Sequence, residues 1–185
     1  EQWFEDDPVR LIELFQLAEA EGLEVHPQTM RQADRDAKLI TKNVRKDPRA
    51  NALFLDLLCG RNDPASALRW MNEAGVFGRV VPDFGRVNAQ MQFDMYHHYT
   101  VDEHTITCIS ILSKIEKGFL IEDLPVASSI LDTGVNRTVL YVALLLHDIA
   151  KGRPEDHSEL GAQMAAEICP RLGLSASDTD LVFLL

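Results

Sequence analysis

An apolar run from Tyr141 to Leu146 ends abruptly in His147-Asp148, and that junction sets the strongest condition on how this chain folds. A run of this kind belongs in a core. An imidazole and a carboxylate at the end of a core helix cost several kcal/mol unless a partner satisfies them. Two arrangements meet the condition. A divalent cation can bind the pair, or His147 is a core histidine hydrogen-bonded to its neighbours while Asp148 serves as a helix C-terminal residue. The surrounding stretch, LLLHDIAKGRPEDHSELGA from Leu144 to Ala162, adds Lys151 and His157 within a few turns.

Helix signals run along the rest of the chain. Asp7 caps and Pro8 opens a first helix with Val9, Leu11, Ile12, Leu14 and Phe15 on its apolar stripe, stopped by Gly22. Pro27 opens a second, in which Met30, Ala33, Ala37, Ile40 and Val44 recur at spacings of three and four. Asp47-Pro48 starts a third through Leu58, closed near Gly60, and Asp63-Pro64 a fourth through Ala74, closed by Gly75. Breaks at Gly78, Pro82 and Gly85 mark a joint between a front helical unit, residues 1–90, and a rear one, residues 91–185.

In the rear unit Thr100 and Glu103 read as a capping box for a helix whose apolar stripe is Val101, Cys108, Ile111, Leu112 and Ile115. His104 falls at helical spacing from Val101 and Cys108, so it faces inward, as either a satisfied core histidine or a ligand. After a polar loop, Asn136 caps a helix reaching Ile149, with His147 and Asp148 in its last turn, where the carbonyl end favours a cation. Asp156 to Glu159 starts a helix that runs to Cys169 and closes at Pro170. No strand alternation persists, so the fold class is all-α, and three helix ends can converge on one site.

With 46% hydrophobic residues in 185, the chain is long enough to bury roughly 70% of its unfolded surface. Its 29 acidic residues outnumber 18 basic ones, and the net charge of -11 argues against a surface for nucleic-acid phosphates. Cys59, Cys108 and Cys169 are widely spaced, odd in number and set in apolar helical contexts, as in a reduced, cytoplasmic protein. No apolar run is long enough for a membrane span, and no signal-like N-terminus is present. A start without Met and the apolar end Leu181 to Leu185 lead to the expectation that the chain is part of a longer one.

His104, then His147-Asp148, then Lys151 resemble the HD superfamily of metal-dependent phosphohydrolases. The strings MQFDMYHHYTVDEHT, Met91 to Thr105, and LLLHDIAKGRPEDHSELGA resemble more closely the HD domain of bifunctional uridylyltransferase/uridylyl-removing enzymes, which modify the P-II nitrogen signal protein. LFLDLL, Leu53 to Leu58, and MNEAGVFGRVVPDFGRV, Met71 to Val87, resemble the segment that precedes that domain. The resemblance implies an HD-domain helical bundle with an N-terminal helical lead-in, and removal of UMP from uridylylated P-II. It makes His104, His147 and Asp148 metal ligands. Asp148 and Lys151 then serve the phosphoryl group, and His157 is a general acid or a ligand to a second ion. His97 and His98 are expected in the loop or behind the ligands.

The implied cofactor is a divalent ion, Mn, Mg, Fe or Zn, and a mixed imidazole and carboxylate set suits Mn, Fe or Zn better than Mg. Glutamine would act through domains absent here, as is the nucleotidyltransferase domain. Two departures stand out. Arg153-Pro154-Glu155 is stiffer and more acidic than the glycine-rich loop expected there, and the family's distal Asp has no counterpart before Leu185. The expectation is therefore an HD domain truncated at its C-terminus that holds metal weakly and hydrolyses poorly, unless Asp156 or Asp180 completes the ligand set. The rival readings are an HD phosphohydrolase acting on a free nucleotide and a non-catalytic regulatory helical module.

Overall fold

The computed structural model describes the backbone of residues 2–87, 101–150 and 157–185, and the side chains of all of these except 85–87 and 157–159. Readings that fall on His97, His98, Thr100, Lys151, Asp156 and the Arg153 to Glu155 loop lie outside the described residues.

The front of the chain forms α1 (Trp3–Asp6), α2 (Arg10–Glu21), α3 (Pro27–Asp36), α4 (Lys42–Lys46), α5 (Pro48–Leu58), α6 (Pro64–Glu73), α7 (Phe77–Val80) and α8 (Pro82–Val87). The rear forms α9 (Val101–Glu116), α10 (Pro125–Leu131), α11 (Arg137–Leu146), α12 (His157–Leu172) and α13 (Ala176–Leu184). Among the described residues there is no strand, and no helix is long and apolar enough to cross a membrane. Two of the three Asp-Pro starts work as their chemistry dictates; Asp7-Pro8 does not, since α2 begins at Arg10 after a turn and has no side-chain cap. Asp47 and Asp63 accept hydrogen bonds from the Arg49 and Ser66 amides at 2.8 and 3.1 Å, and Asn136 accepts from the Val139 amide at 3.2 Å, each satisfying a donor that the first helical turn leaves open.

Several elements differ from the sequence reading. The second helix does not run to Val44. It tightens into a 3₁₀ turn at Ala37–Leu39, and Ile40 leaves helical geometry (φ -73°, ψ 85°) to bury itself at 2% exposure. The expected polar loop after α9 contains α10, none of whose residues is buried. Pro170 does not close α12, which runs one turn further because Cys169 and Leu172 are both buried there. The stretch from Val76 does break into short pieces, α7 and α8, but its apolar side chains through Phe84 are packed in the core. Phe77 and Phe84 are fully buried with ring centroids 4.4 Å apart, and Gly78 and Gly85 lie inside helices.

One core runs through both halves. It joins Phe15, Phe54, Leu57 and Leu68 to Ile106, Ile109, Val142, Leu145 and Ile168. The polar ties at the start of α9 come from α6. Arg69 donates to the Glu103 carboxylate through Nε (3.0 Å) and a terminal nitrogen (2.8 Å), and the Asn72 amide donates to Asp102 at 2.9 Å. Glu103 thus pairs with Arg69, while the capping box read for it and Thr100 lies outside the described residues. These pairs also turn the helix: its buried face is Val101, Asp102, Thr105, Ile106, Ile109 and Ser113, while Ile111 stands 41% exposed.

Two further contacts hold the front to the rear and to itself. Arg137 donates to the carbonyls of Cys59 and Gly60 at the end of α5 and to Glu116 of α9, and Tyr141 donates to the same Glu116 at 2.7 Å. Glu19 is buried, its carboxylate accepting from the Asn62 amide at 2.7 Å. A Cβ on Gly60 would meet the Glu19 carboxylate, so a side chain at position 60 requires that carboxylate to swing aside and give up its bond to the Asn62 amide.

Candidate metal centre

α11 is amphipathic through Leu146, with Tyr141, Val142, Leu145 and Leu146 buried, and it ends on His147, whose amide closes the last helical bond to Ala143 at 2.8 Å. His147 to Ala150 then form a turn, so the His-Asp pair sits just past the helix end rather than inside its last turn. That turn divides the pair. Ile149 and Ala150 go into the core with Asp148, which is 4% exposed, while the His147 side chain stays at the surface.

α9 brings His104 to the same place. Its Nε2 lies 3.5 Å from Asp148 Oδ2, and His147 Nε2 lies 3.3 Å from the same oxygen. The two imidazole centroids are 5.5 Å apart. With the histidine side chains 29% and 31% exposed and the Asp148 side chain 6%, the arrangement is a buried carboxylate under two rings that open to solvent.

The His147 ring is held in one tautomer. Its Nδ1 lies 2.6 Å from the Leu144 carbonyl oxygen, which can only accept, so Nδ1 carries a proton and Nε2 is the nitrogen that faces the cluster. A lone pair facing a carboxylate oxygen at 3.3 Å is repulsive unless a positive charge stands between them. A proton on the ring or a cation in the cluster supplies it. The donor set, imidazole nitrogens with a carboxylate, fits a divalent ion of borderline softness, and the carbonyl behind His147 is the partner that metal-binding histidines generally have.

The structure also places a residue here that the sequence reading left in the core. Cys108, one turn after His104, is half-buried with its Sγ 3.8 Å from His104 Nε2. Ligand atoms of His104, Cys108 and His147 all lie within 4.8 Å of one another. The i, i+4 spacing from His104 was the available signal, but a cysteine on an apolar helix reads as core filling. His157 is the first residue of α12, with its side chain outside the described residues, as is all of Lys151. Asp180 is exposed on α13, and Asp178 accepts from the Asn136 side chain at 2.9 Å.

Two family models match this chain. Residues 1–80 match the Uridylyltransferase GlnD third domain, and residues 101–183 match the HD domain. The rear of the chain is an HD domain. The chain is 69% identical over 182 residues to a bifunctional uridylyltransferase/uridylyl-removing enzyme of Erythrobacter litoralis, a match covering 98% of this chain and 20% of the relative. A protein of the same description from Novosphingobium aromaticivorans is 66% identical over 98% of this chain and 20% of its own length, and one from Azospirillum brasilense 53% over 97% and 19%. The chain therefore spans about a fifth of the length of the curated relatives it matches. In this HD domain, the His104, His147 and Asp148 cluster lies at the surface end of α11, beside a groove lined by Ala143, Gly161, Ala162, Ala165 and Phe183.

Proposed function

We propose that this chain is the uridylyl-removing portion of a bifunctional uridylyltransferase/uridylyl-removing enzyme, and that it hydrolyses the phosphodiester joining UMP to P-II. The observation that carries the reading is the convergence of His104 and His147 on a buried Asp148 at an open rim, in a chain 69% identical to an enzyme of that description.

His104, His147 and Asp148 would hold a divalent ion. When bound, such an ion supplies positive charge over the phosphoryl group and acidifies water. The chain's own residues do the rest. Asp148 fixes both imidazoles from beneath, and the Leu144 carbonyl keeps His147 in the tautomer whose Nε2 faces the site. The exposed edges of both rings leave room for a phosphodiester, which carries an organic group on either side of phosphorus. The small residues Ala143, Gly161, Ala162 and Ala165 leave a groove beside His147 for one of those groups. Lys151 would pair with the phosphoryl oxygens, and His157 would return a proton to the departing oxygen of the protein substrate.

The work belongs in the cytoplasm on this reading, with glutamine acting through parts of such enzymes that the chain does not span. Residues 1–90 serve as the lead-in and 91–185 as the hydrolytic unit. The test is to incubate the chain with uridylylated P-II and Mn²⁺, and follow by mass spectrometry the loss of one UMP per site. His104→Ala should abolish the release. Absence of release from uridylylated P-II, with hydrolysis of free nucleotides instead, would replace this reading by that of a nucleotide phosphohydrolase.

A further inference from the structure

We infer that Cys108 is a metal ligand, so that the centre includes a His104, Cys108 and His147 donor set which prefers a soft or borderline ion such as Zn²⁺, Co²⁺ or Fe²⁺ to Mg²⁺. The inference rests on the metal-site reading given above and deepens it.

Distances carry it. Bonds of ~2.1 Å to imidazole nitrogen and carboxylate oxygen and ~2.3 Å to thiolate sulfur put the edges of a tetrahedron at roughly 3.4 Å for N···O and about 3.6 Å for N···S. The observed edges are 3.5 Å from His104 to Asp148, 3.3 Å from His147 to Asp148 and 3.8 Å from Cys108 to His104. The ligand atoms of His104, Cys108 and His147 also fall within 4.8 Å of one another, so the thiol and both imidazoles lie within reach of one ion after small side-chain adjustments. Placement follows from α9 itself, since residues four apart share a helix face. Coordination breaks the S–H bond, passes its proton to the buffer and gives the sulfur lone pair to the ion. A thiolate in the set raises the preference for soft ions, because Mg²⁺ takes oxygen donors in an octahedron.

The other cysteines supply a control. Burial pushes the thiols of Cys59 and Cys169 up to about 11, so neither offers a thiolate at neutral pH.

The test uses this chain and Co²⁺ alone, with no substrate. Binding of one equivalent should give visible d–d bands of a four-coordinate ion together with a near-ultraviolet thiolate-to-cobalt charge-transfer band. Cys108→Ser, nearly the same size, should lose the charge-transfer band, keep the d–d bands, and weaken Zn²⁺ binding by at least ~10-fold, the low end of what even outer partners of a metal contribute. Cys108→Asp should restore binding while shifting the preference from Zn²⁺ toward Mn²⁺. Stoichiometric Co²⁺ with d–d bands but no charge-transfer band in the unaltered chain overturns the role of Cys108 and leaves the histidine and carboxylate site standing. No Co²⁺ binding at all overturns both. If Cys108→Ser fails to fold, the spectrum of the unaltered chain still decides.

Discussion

Asp148 is the residue on which both imidazoles converge, and its burial makes its charge matter more than that of any exposed acid nearby. Asp148→Asn keeps the shape and removes the charge. It is expected to lower divalent-ion affinity by at least ~10-fold in calorimetry and to abolish hydrolysis, with the helical circular dichroism spectrum retained; unchanged affinity would remove Asp148 from the ligand set. His157→Ala should slow hydrolysis by roughly 10²- to 10⁴-fold with metal affinity intact if His157 is the general acid, whereas a parallel loss of metal would make it a ligand. At this scale His104, His147 and Asp148 were legible because a polar pair at the end of an apolar run demands an explanation. Cys108 was not, since the same residue type at the same spacing is ordinary core filling. The Leu144 carbonyl that orients His147 leaves no trace in sequence at all, because every residue carries one.

Helix starts were easier to read than helix ends. An aspartate before a proline has a local chemical reason to begin a helix, and Asp47 and Asp63 both cap as expected. Ends depend on what lies alongside. Pro170 is tolerated inside α12 because burying Cys169 and Leu172 outweighs one missing amide. Pro170→Ala is accordingly expected to raise stability, by about 1 kcal/mol or more, read as a higher urea midpoint. α9 shows the same dependence on neighbours. Its inward face could not be set from apolar spacing alone, since Arg69 and Asn72 draw Glu103 and Asp102 toward α6. The Arg69–Glu103 pair is about one-third exposed on each side, so its direct worth is small. Glu103→Gln should cost no more than about 1 kcal/mol, a melting shift of roughly 2–4 °C or less. It should nevertheless weaken metal binding measurably, because the pair sits beside His104 on the same turn.

That the front and rear halves share one core was hidden in the sequence, where glycines and a proline between them read as a joint. The shared core also sets how the molecule responds to alkali. Burial raises the Cys59 and Cys169 thiols to about 11, and burial together with the Glu116 carboxylate raises the Tyr141 phenol. Each of these groups keeps its proton longer in the folded state than in the unfolded one, where thiols lose theirs near pH ~8.5 and phenols near ~10. Their contribution to stability is therefore complete below the unfolded values and is lost as pH rises through the folded ones. The urea midpoint should hold between neutrality and about pH 8, then fall steadily toward pH 11. Cys169→Ala, less stable at neutrality for want of packing, should show a shallower fall. An alkaline limb unchanged by that substitution would assign the loss to other groups.

The contact between Glu19 and Gly60 has a consequence for how related sequences drift apart. A Cβ at position 60 would meet the carboxylate end of the side chain at position 19, so the two sites are coupled. A lineage that admits alanine at 60 either shortens position 19 or turns the Glu19 carboxylate away from the Asn62 amide, at a cost of about 1–3 kcal/mol. In an alignment, side chains at 60 should therefore be enriched alongside a small residue at 19, and in the laboratory Gly60→Ala should be less damaging on a Glu19→Ala background than alone.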